Sequence, residues 1–116
     1  MKIVALEQAE EFKNSNTSKL LEYSIALGEK NIDFCINTIS WRYPEKGFCS
    51  NQVCKELCYI LEWNWTINKK DEKIDFKKGD VVFIDNKEIY YREGDCKIAM
   101  ICTPARYKDQ CKLYDE

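Results

Sequence analysis

The stretch VCKELCYIL, residues 53–61, gives the clearest secondary-structure signal in this sequence. An extended chain points successive side chains to opposite faces, so the even-numbered positions place Glu56 between Cys54 and Cys58. The odd-numbered positions are also largely apolar and include Leu57 and Tyr59. We therefore expect a β-strand that is covered on both faces, either by an N-terminal arm or by another subunit.

Short apolar runs separated by turns continue away from this strand. Downstream, polar turns divide apolar runs at 66–68, 74–76, 81–84, 89–91 and 97–102. Upstream, the sequence predicts a short strand at 2–5, a two-turn helix at 6–12, partly alternating strands at 20–26 and 32–41, and a loop at 42–47. Strands this short with turns this frequent indicate an all-β sandwich or barrel.

The composition restricts the classes of function. A chain of 116 residues fits one domain, and its 18 basic and 20 acidic residues form no basic stripe, so we expect no nucleic-acid partner. No apolar run is long enough to cross a membrane, and the start MKIVALEQAEEF lacks the apolar run of a signal peptide, so we expect a cytoplasmic protein without a membrane partner. There is no histidine, which removes the commonest general base and nitrogen metal ligand.

From residue 56 onward the sequence resembles the cupin superfamily. Glu56 in KELCYILEW stands at the glutamate of the family's first motif, and Gly79 in KKGDVVFID opens the second motif. The stretch IAMICTP is similar to the family's last strand. The resemblance implies a cupin-type jelly-roll β-barrel (double-stranded β-helix), as one domain over residues 1–116. Its core would lie at about 45–105, and residues 1–30 would form an N-terminal arm with the short strand and helix.

The sequence departs from the family at the metal ligands. The places of the usual histidine pair hold Cys49 and Asn51, or Ser50 and Gln52 if the spacing is one residue shorter, and Tyr90 stands at the last histidine. The resemblance therefore implies no ordinary metal centre and no other cofactor. A weakly bound divalent metal would have as its candidate ligands Cys49, Asn51, Glu56 and Tyr90.

Glu56 is the candidate site residue on which the alternatives depend. If it faces the barrel interior, its carboxylate could contact a ligand, bind a metal, or act as a general base with a raised pKa. It could instead be structural, paired across the strand or with the hydroxyl of Tyr90. No catalytic residue is assigned beyond the candidate Glu56. The ligand pocket is predicted to comprise Asn51, Gln52, Glu56, Cys58 and Tyr90.

Seven cysteines are present, without a Cys-x-x-Cys pair. Cys54 and Cys58 are four residues apart on the predicted strand, roughly 13 Å, which is too far for two thiolates to share one zinc ion. We expect most cysteines to be small buried apolar residues, with a reactive pocket thiol or a redox sensor as the alternative. A disulfide framework is not expected in a cytosolic chain.

Three tryptophans stand where small cupins commonly have glycine: Trp41, Trp63 and Trp65. One hypothesis is that the source reads UGA codons as glycine, and that Arg92 and Arg106, in contexts where similar proteins tend to carry tryptophan, are also decoded differently. The alternative is simple divergence, with the indoles capping a barrel mouth or a dimer seam. Glycine is favoured at such bends because it tolerates positive φ.

We predict a small-molecule-binding cupin that forms a homodimer through its outer apolar sheet face. One alternative is a cupin enzyme (an isomerase, a lyase or a dioxygenase-like enzyme) with a weak metal site at Glu56. The other is a standalone ligand-sensing or assembly module. The fold alone does not decide among them, because one fold serves many activities.

Overall fold

The structure is a computed structural model that describes residues 1–115. Its strands are β1 Glu10–Ser15, β2 Ser18–Glu22, β3 Asp33–Ile39, β4 Arg42–Tyr43, β5 Phe48–Asn51, β6 Lys55–Glu62, β7 Trp65–Asn68, β8 Lys73–Phe76, β9 Val81–Ile84, β10 Tyr91–Glu93, β11 Cys96–Thr103 and β12 Cys111–Tyr114. The helices are α1 Ser24–Leu27 and two 3-10 turns, Leu6–Gln8 and Lys108–Gln110. No helix among these residues has both the length and the apolar character needed to cross a membrane.

The strands form two main sheets and one additional pair. The larger sheet has the order β1-β2-β3-β11-β6-β9, and the smaller has the order β4-β10-β7-β8. β12 pairs with β5. All of these pairings are antiparallel, as expected for an all-β sandwich or barrel.

The core lies between the two main sheets. Cys58 and Ile60 of β6 are fully buried beside Ile98 of β11, and the smaller sheet contributes Trp65 and Ile67 of β7. Alternation along β6 and β11 explains this arrangement, because every second side chain of each strand is buried. Six of the seven cysteines are buried and Cys111 is exposed, which agrees with their prediction as small apolar residues.

Residues 53–61 contain the predicted strand, and its even-numbered face is buried as expected. The odd-numbered face, which was also expected to be covered, is exposed. Leu57 and Tyr59 are 43% and 47% exposed, and the adjacent strand β9 exposes Val81 and Phe83 at 60% and 56%. The N-terminal hairpin β1–β2 extends the same sheet at the edge opposite β9, so it does not cover this face. Cover by the N-terminal arm is therefore contradicted, and cover by another subunit stays a prediction.

The N-terminal prediction was wrong in its details. Residues 2–5 form no strand, and only Leu6–Gln8 of the predicted helix is helical, as one 3-10 turn. Residues 10–15 instead pair with residues 18–22, with Phe12 opposite Leu20. Pairing with a neighbouring strand outweighs the helix propensity of a short segment, because an isolated two-turn helix is marginal in water.

Strands also occur where the sequence indicated a loop or no element. β4 occupies the start of the predicted loop 42–47, and β12 lies beyond the predicted end of the core at residue 105. Both strands are short. Each forms because it pairs with a partner strand, and not because apolar and polar residues alternate in its own sequence. Gly47 lies so close to β12 that an added Cβ would be 1.9 Å from the carbonyl oxygen of Tyr114.

The three tryptophans divide into two groups. Trp41 and Trp63 have φ of 74° and 65°, in the left-handed region that favours glycine, and both are more than half exposed. Trp65 lies inside β7, is 3% exposed and packs with its ring centroid 5.7 Å from that of Phe76. The glycine hypothesis therefore stays a prediction at positions 41 and 63, whereas the indole at position 65 fills the core.

Candidate functional site

Glu56 and Arg92 form an ion pair inside the protein. Glu56 lies on the inward face of β6 in the larger sheet, and Arg92 lies on β10 in the smaller sheet. Their side chains are 5% and 2% exposed, and Nη2 of Arg92 donates to Oε2 of Glu56 over 2.7 Å. The pair therefore links the two sheets across the core. The partners considered from the sequence, a residue across the strand or Tyr90, are not the ones found.

One amide completes the hydrogen bonding of the Glu56 carboxylate, and a second amide holds the first in place. Nδ2 of Asn51 donates to Oε1 of Glu56 over 2.8 Å, and Nε2 of Gln110 donates to Oδ1 of Asn51 over 2.9 Å. Oε1 of Gln110 accepts from the backbone N–H of Cys54 over 3.1 Å. These side chains are buried, so each hydrogen bond offsets the desolvation of a polar group.

The electrostatics of the site favour a charged carboxylate. Burial alone would raise the pKa of Glu56, but the positive charges of Arg92 and Arg106 and the hydrogen bond from Asn51 hold it below its ordinary value of 4.5. This direction is opposite to the raised pKa that was considered for Glu56 as a general base. At neutral pH the group is a carboxylate that accepts hydrogen bonds.

A small cavity of about 30 Å³ adjoins the ion pair. Most of its lining residues, including Glu56, Tyr90 and Arg92, are buried, whereas Cys111 is exposed and Asn14 is half-buried. The cavity thus extends from the surface towards the ion pair. Its lining residues are Asn14, Asn37, Tyr43, Cys49, Ser50, Asn51, Glu56, Tyr90, Arg92, Arg106 and Cys111.

The cavity brings together only part of the predicted pocket. Asn51, Glu56 and Tyr90 line it. The side chain of Gln52 does not, and its Nε2 donates to Oγ of Ser50 over 2.6 Å. Cys58 does not line it either, and its Sγ lies in the core 3.8 Å from Nη2 of Arg92.

The structure also distinguishes the two possible spacings of the family's histidine pair. Cys49 and Asn51 both line the cavity, which corresponds to the longer spacing before Glu56. Of the shorter-spacing pair, Ser50 lines it and Gln52 does not. Cys49 and Tyr90 are joined by two backbone hydrogen bonds, of 2.8 and 3.0 Å, which fixes them side by side.

The sequence analysis missed several residues of the site: Asn14, Asn37, Tyr43, Arg92, Arg106 and Gln110. A signal for Arg92 was present, because it lies two residues after Tyr90 and so shares its face on an extended chain. No local signal marks Gln110, which reaches the site only because β12 folds back onto β5. Asn14 lies in the N-terminal hairpin, which joins the larger sheet where β2 pairs with β3.

Six buried polar atoms find no hydrogen-bond partner among residues 1–115, and three of them belong to residues that line the cavity: Oδ1 of Asn14, Nε of Arg92 and Nε of Arg106. A buried polar atom without a partner costs about 1–3 kcal/mol. Such atoms beside a cavity are satisfied by a molecule that enters it. The cavity is therefore the candidate site for a polar ligand.

The fold family implies a divalent metal, and the residues present do not fit one. Both carboxylate oxygens of Glu56 already accept hydrogen bonds, from Asn51 and Arg92. Burial raises the pKa of Cys49 to about 12, so a metal would have to displace a firmly held proton from its sulfur. Burial likewise raises the pKa of Tyr90, and the guanidinium of Arg92 would repel a cation. Within the described residues no group of three or more acidic or thiol side chains is placed to hold a metal.

Comparison with solved structures identifies the fold. The nucleoside dehydratase Pac13 of Streptomyces, in a variant with uridine, superposes with a TM-score of 0.85 at 11% identity, covering 99% of this chain and 91% of that one. Ectoine synthase from P. lautus gives 0.74 at 12% identity, covering 98% and 90%. The polyketide cyclase RemF from Streptomyces resistomycificus gives 0.74 at 13% identity, covering 97% and 84%. No family model and no curated protein matches the sequence.

The chain therefore has the cupin-type jelly-roll barrel fold that the sequence predicted. At these identities the similarity concerns the fold, and the neighbours include enzymes of different reactions.

Proposed function

We propose that this protein binds a small polar molecule in the cavity beside Glu56 and Arg92, without the histidine metal centre of other cupins. The observation that carries the proposal is the set of unpartnered polar atoms that surround the cavity and belong to Asn14, Arg92 and Arg106. A purely structural interior would be expected to satisfy these atoms or to replace them with apolar groups.

The size of the cavity defines how a ligand would bind. About 30 Å³ accommodates a water molecule or one small functional group, so the polar end of a ligand would enter and the rest would extend outward. The exposed Cys111 and the half-buried Tyr43 mark the outward direction. Since β12 carries Cys111, a larger ligand would displace part of this C-terminal strand.

The proposal is tested by a thermal-shift screen with neutral sugars, sugar acids, small carboxylates and nucleosides. Nucleosides are included because the dehydratase neighbour was solved with uridine. We expect a compound that raises the Tm of the wild type but raises that of Tyr90→Phe much less. Tyr59→Phe is the matched control, because it removes the same hydroxyl from the outer face, where Tyr59 is 47% exposed.

The outcomes separate the three candidate functions. A compound that stabilises the wild type and both variants equally binds outside the cavity and contradicts the proposal. Stoichiometric metal in the purified protein, lost in Glu56→Gln, would favour the enzyme with a weak metal site. A protein that responds to no compound and no metal would favour the assembly module.

The outer face of the larger sheet supports a homodimer as the second part of the proposal. Leu57, Tyr59, Val81 and Phe83 lie on adjacent strands, paired Leu57 to Phe83 and Tyr59 to Val81, and are 43–60% exposed. A contiguous apolar patch of this kind is typical of a protein interface. A second copy of the chain would cover the odd-numbered face of residues 53–61, which the N-terminal hairpin leaves exposed.

A further inference from the structure

One of the two arginines at the cavity has no direct ionic partner. Glu56 and Arg92 compensate each other in their ion pair, whereas Arg106 takes part in none of the ion pairs formed within residues 1–115. The guanidinium of Arg106 nevertheless lines the cavity, and its Nε is buried without a partner. Among residues 1–115, no carboxylate is therefore in direct contact with the Arg106 guanidinium.

The groups that surround Arg106 do not neutralise it by direct contact. Its Nη2 lies 3.5 Å from Sγ of Cys35, a thiol whose pKa burial raises to about 12, so the sulfur is uncharged at neutral pH. The carboxylate of Asp33 accepts from the backbone N–H of Arg106 over 2.8 Å and forms no ion pair with the guanidinium. Glu22 and Glu56 are near enough to act on its charge, and neither forms an ion pair with it.

An anion is the group that this arrangement lacks. A guanidinium presents N–H donors in a planar fork that matches a carboxylate, and it keeps its charge at every ordinary pH. A cavity of about 30 Å³ has room for one small functional group such as a carboxylate. Nε of Arg92, also unpartnered, provides a second donor at the same cavity.

We infer that the ligand is a small organic carboxylate, whose carboxylate group is bound by Arg106 and assisted by Nε of Arg92. This inference rests on the proposed function and names the class of its ligand. Glu56 then has a positioning role, because it accepts from Nη2 of Arg92 and so holds the guanidinium in place.

The test compares acetate with acetamide, which has a similar shape but no charge, in thermal unfolding at constant ionic strength. We expect acetate at tens of millimolar to raise the Tm of the wild type by a few degrees, and acetamide to leave it unchanged. Arg106→Gln should lose the response to acetate. The matched control is Lys108→Gln, which removes one positive charge from an exposed position nearby and should keep the response.

The result that overturns the inference is an equal response to acetate and acetamide, or a full response in Arg106→Gln. If Arg106→Gln does not fold, the test is made by NMR on the wild type alone. Acetate should then shift the signal of the Arg106 Nε–H group, and acetamide should not. A neutral sugar that stabilises the wild type but not Tyr90→Phe would support the cavity as a binding site, but it would contradict a carboxylate as the ligand. No response to any compound would overturn both.

Discussion

Replacing Glu56 with Gln should destabilise the protein strongly, because it leaves the Arg92 guanidinium buried without its counter-ion. At the observed 2.7 Å, two unit charges attract by about 6 kcal/mol with an effective dielectric constant of ~20. Desolvation offsets much of this attraction in the intact pair. Removing one partner of a buried pair, however, typically costs about 3–5 kcal/mol. Such a loss is a large fraction of the ~5–15 kcal/mol by which domains are usually stable.

A double-mutant cycle measured by urea unfolding separates the ion pair from the volume of the side chains. Glu56→Gln and Arg92→Met should each cost about 3–5 kcal/mol, and the double variant should cost clearly less than their sum. We expect a coupling free energy of at least about 2 kcal/mol. Additive effects, or a loss below about 1 kcal/mol in Glu56→Gln, would refute the buried pair as the link between the sheets.

The same pair predicts the pH dependence of stability. The folded pKa of Glu56 lies below 4.5, so the unfolded state binds the proton more readily and the carboxylate stabilises the fold at every pH above that value. This contribution should be lost as the pH falls from about 4.5 through the lower folded pKa. The wild type should therefore lose its advantage over Glu56→Gln in acid. A difference between the two that is independent of pH between 7 and 3 contradicts the argument.

Three further predictions follow from other parts of the structure. At Trp41, where φ is positive, urea unfolding should show the glycine variant to be about 1 kcal/mol more stable than the alanine variant. At the buried Trp65 the order should be reversed, with the glycine variant less stable than the alanine variant. Phe83→Lys should convert the proposed dimer to a monomer in analytical ultracentrifugation, whereas Phe12→Lys, at a similarly exposed position on the far strand, should not. In the folded protein one thiol per chain, that of the exposed Cys111, should react with a disulfide reagent, and all seven should react after unfolding. Reaction of more thiols in the folded state would contradict the buried placement of the others.

The inward position of Glu56 could be predicted from sequence because it depends on one local property. Residues 53–61 are long enough and apolar enough for alternation to place Glu56, Cys58 and Ile60 on one face, and the structure buries all three. Asn51 and Tyr90 were found through the family's spacing, which also reflects local chain geometry.

The partners of Glu56 could not be predicted in the same way. Gln110 is separated from Asn51 by 59 residues, and Arg92 from Glu56 by 36, so their contacts depend on how the strands pair. An arginine in a strand sequence does not reveal that it will be buried, because arginine is mostly exposed unless it is paired. The short strands β4 and β12 were missed for the same reason, since each is formed by pairing with a distant segment.

The most direct test of a ligand cavity at the Glu56–Arg92 pair is an NMR titration of the arginine Nε–H signals. The chain has three arginines, so three signals are expected, and Arg42, which stacks on the ring of Tyr91 away from the cavity, serves as the internal control. Adding the compound that gives the largest thermal shift should move the signals of Arg92 and Arg106 and leave that of Arg42 in place. A titration that moves none of the three, or only Arg42, would contradict binding in the cavity.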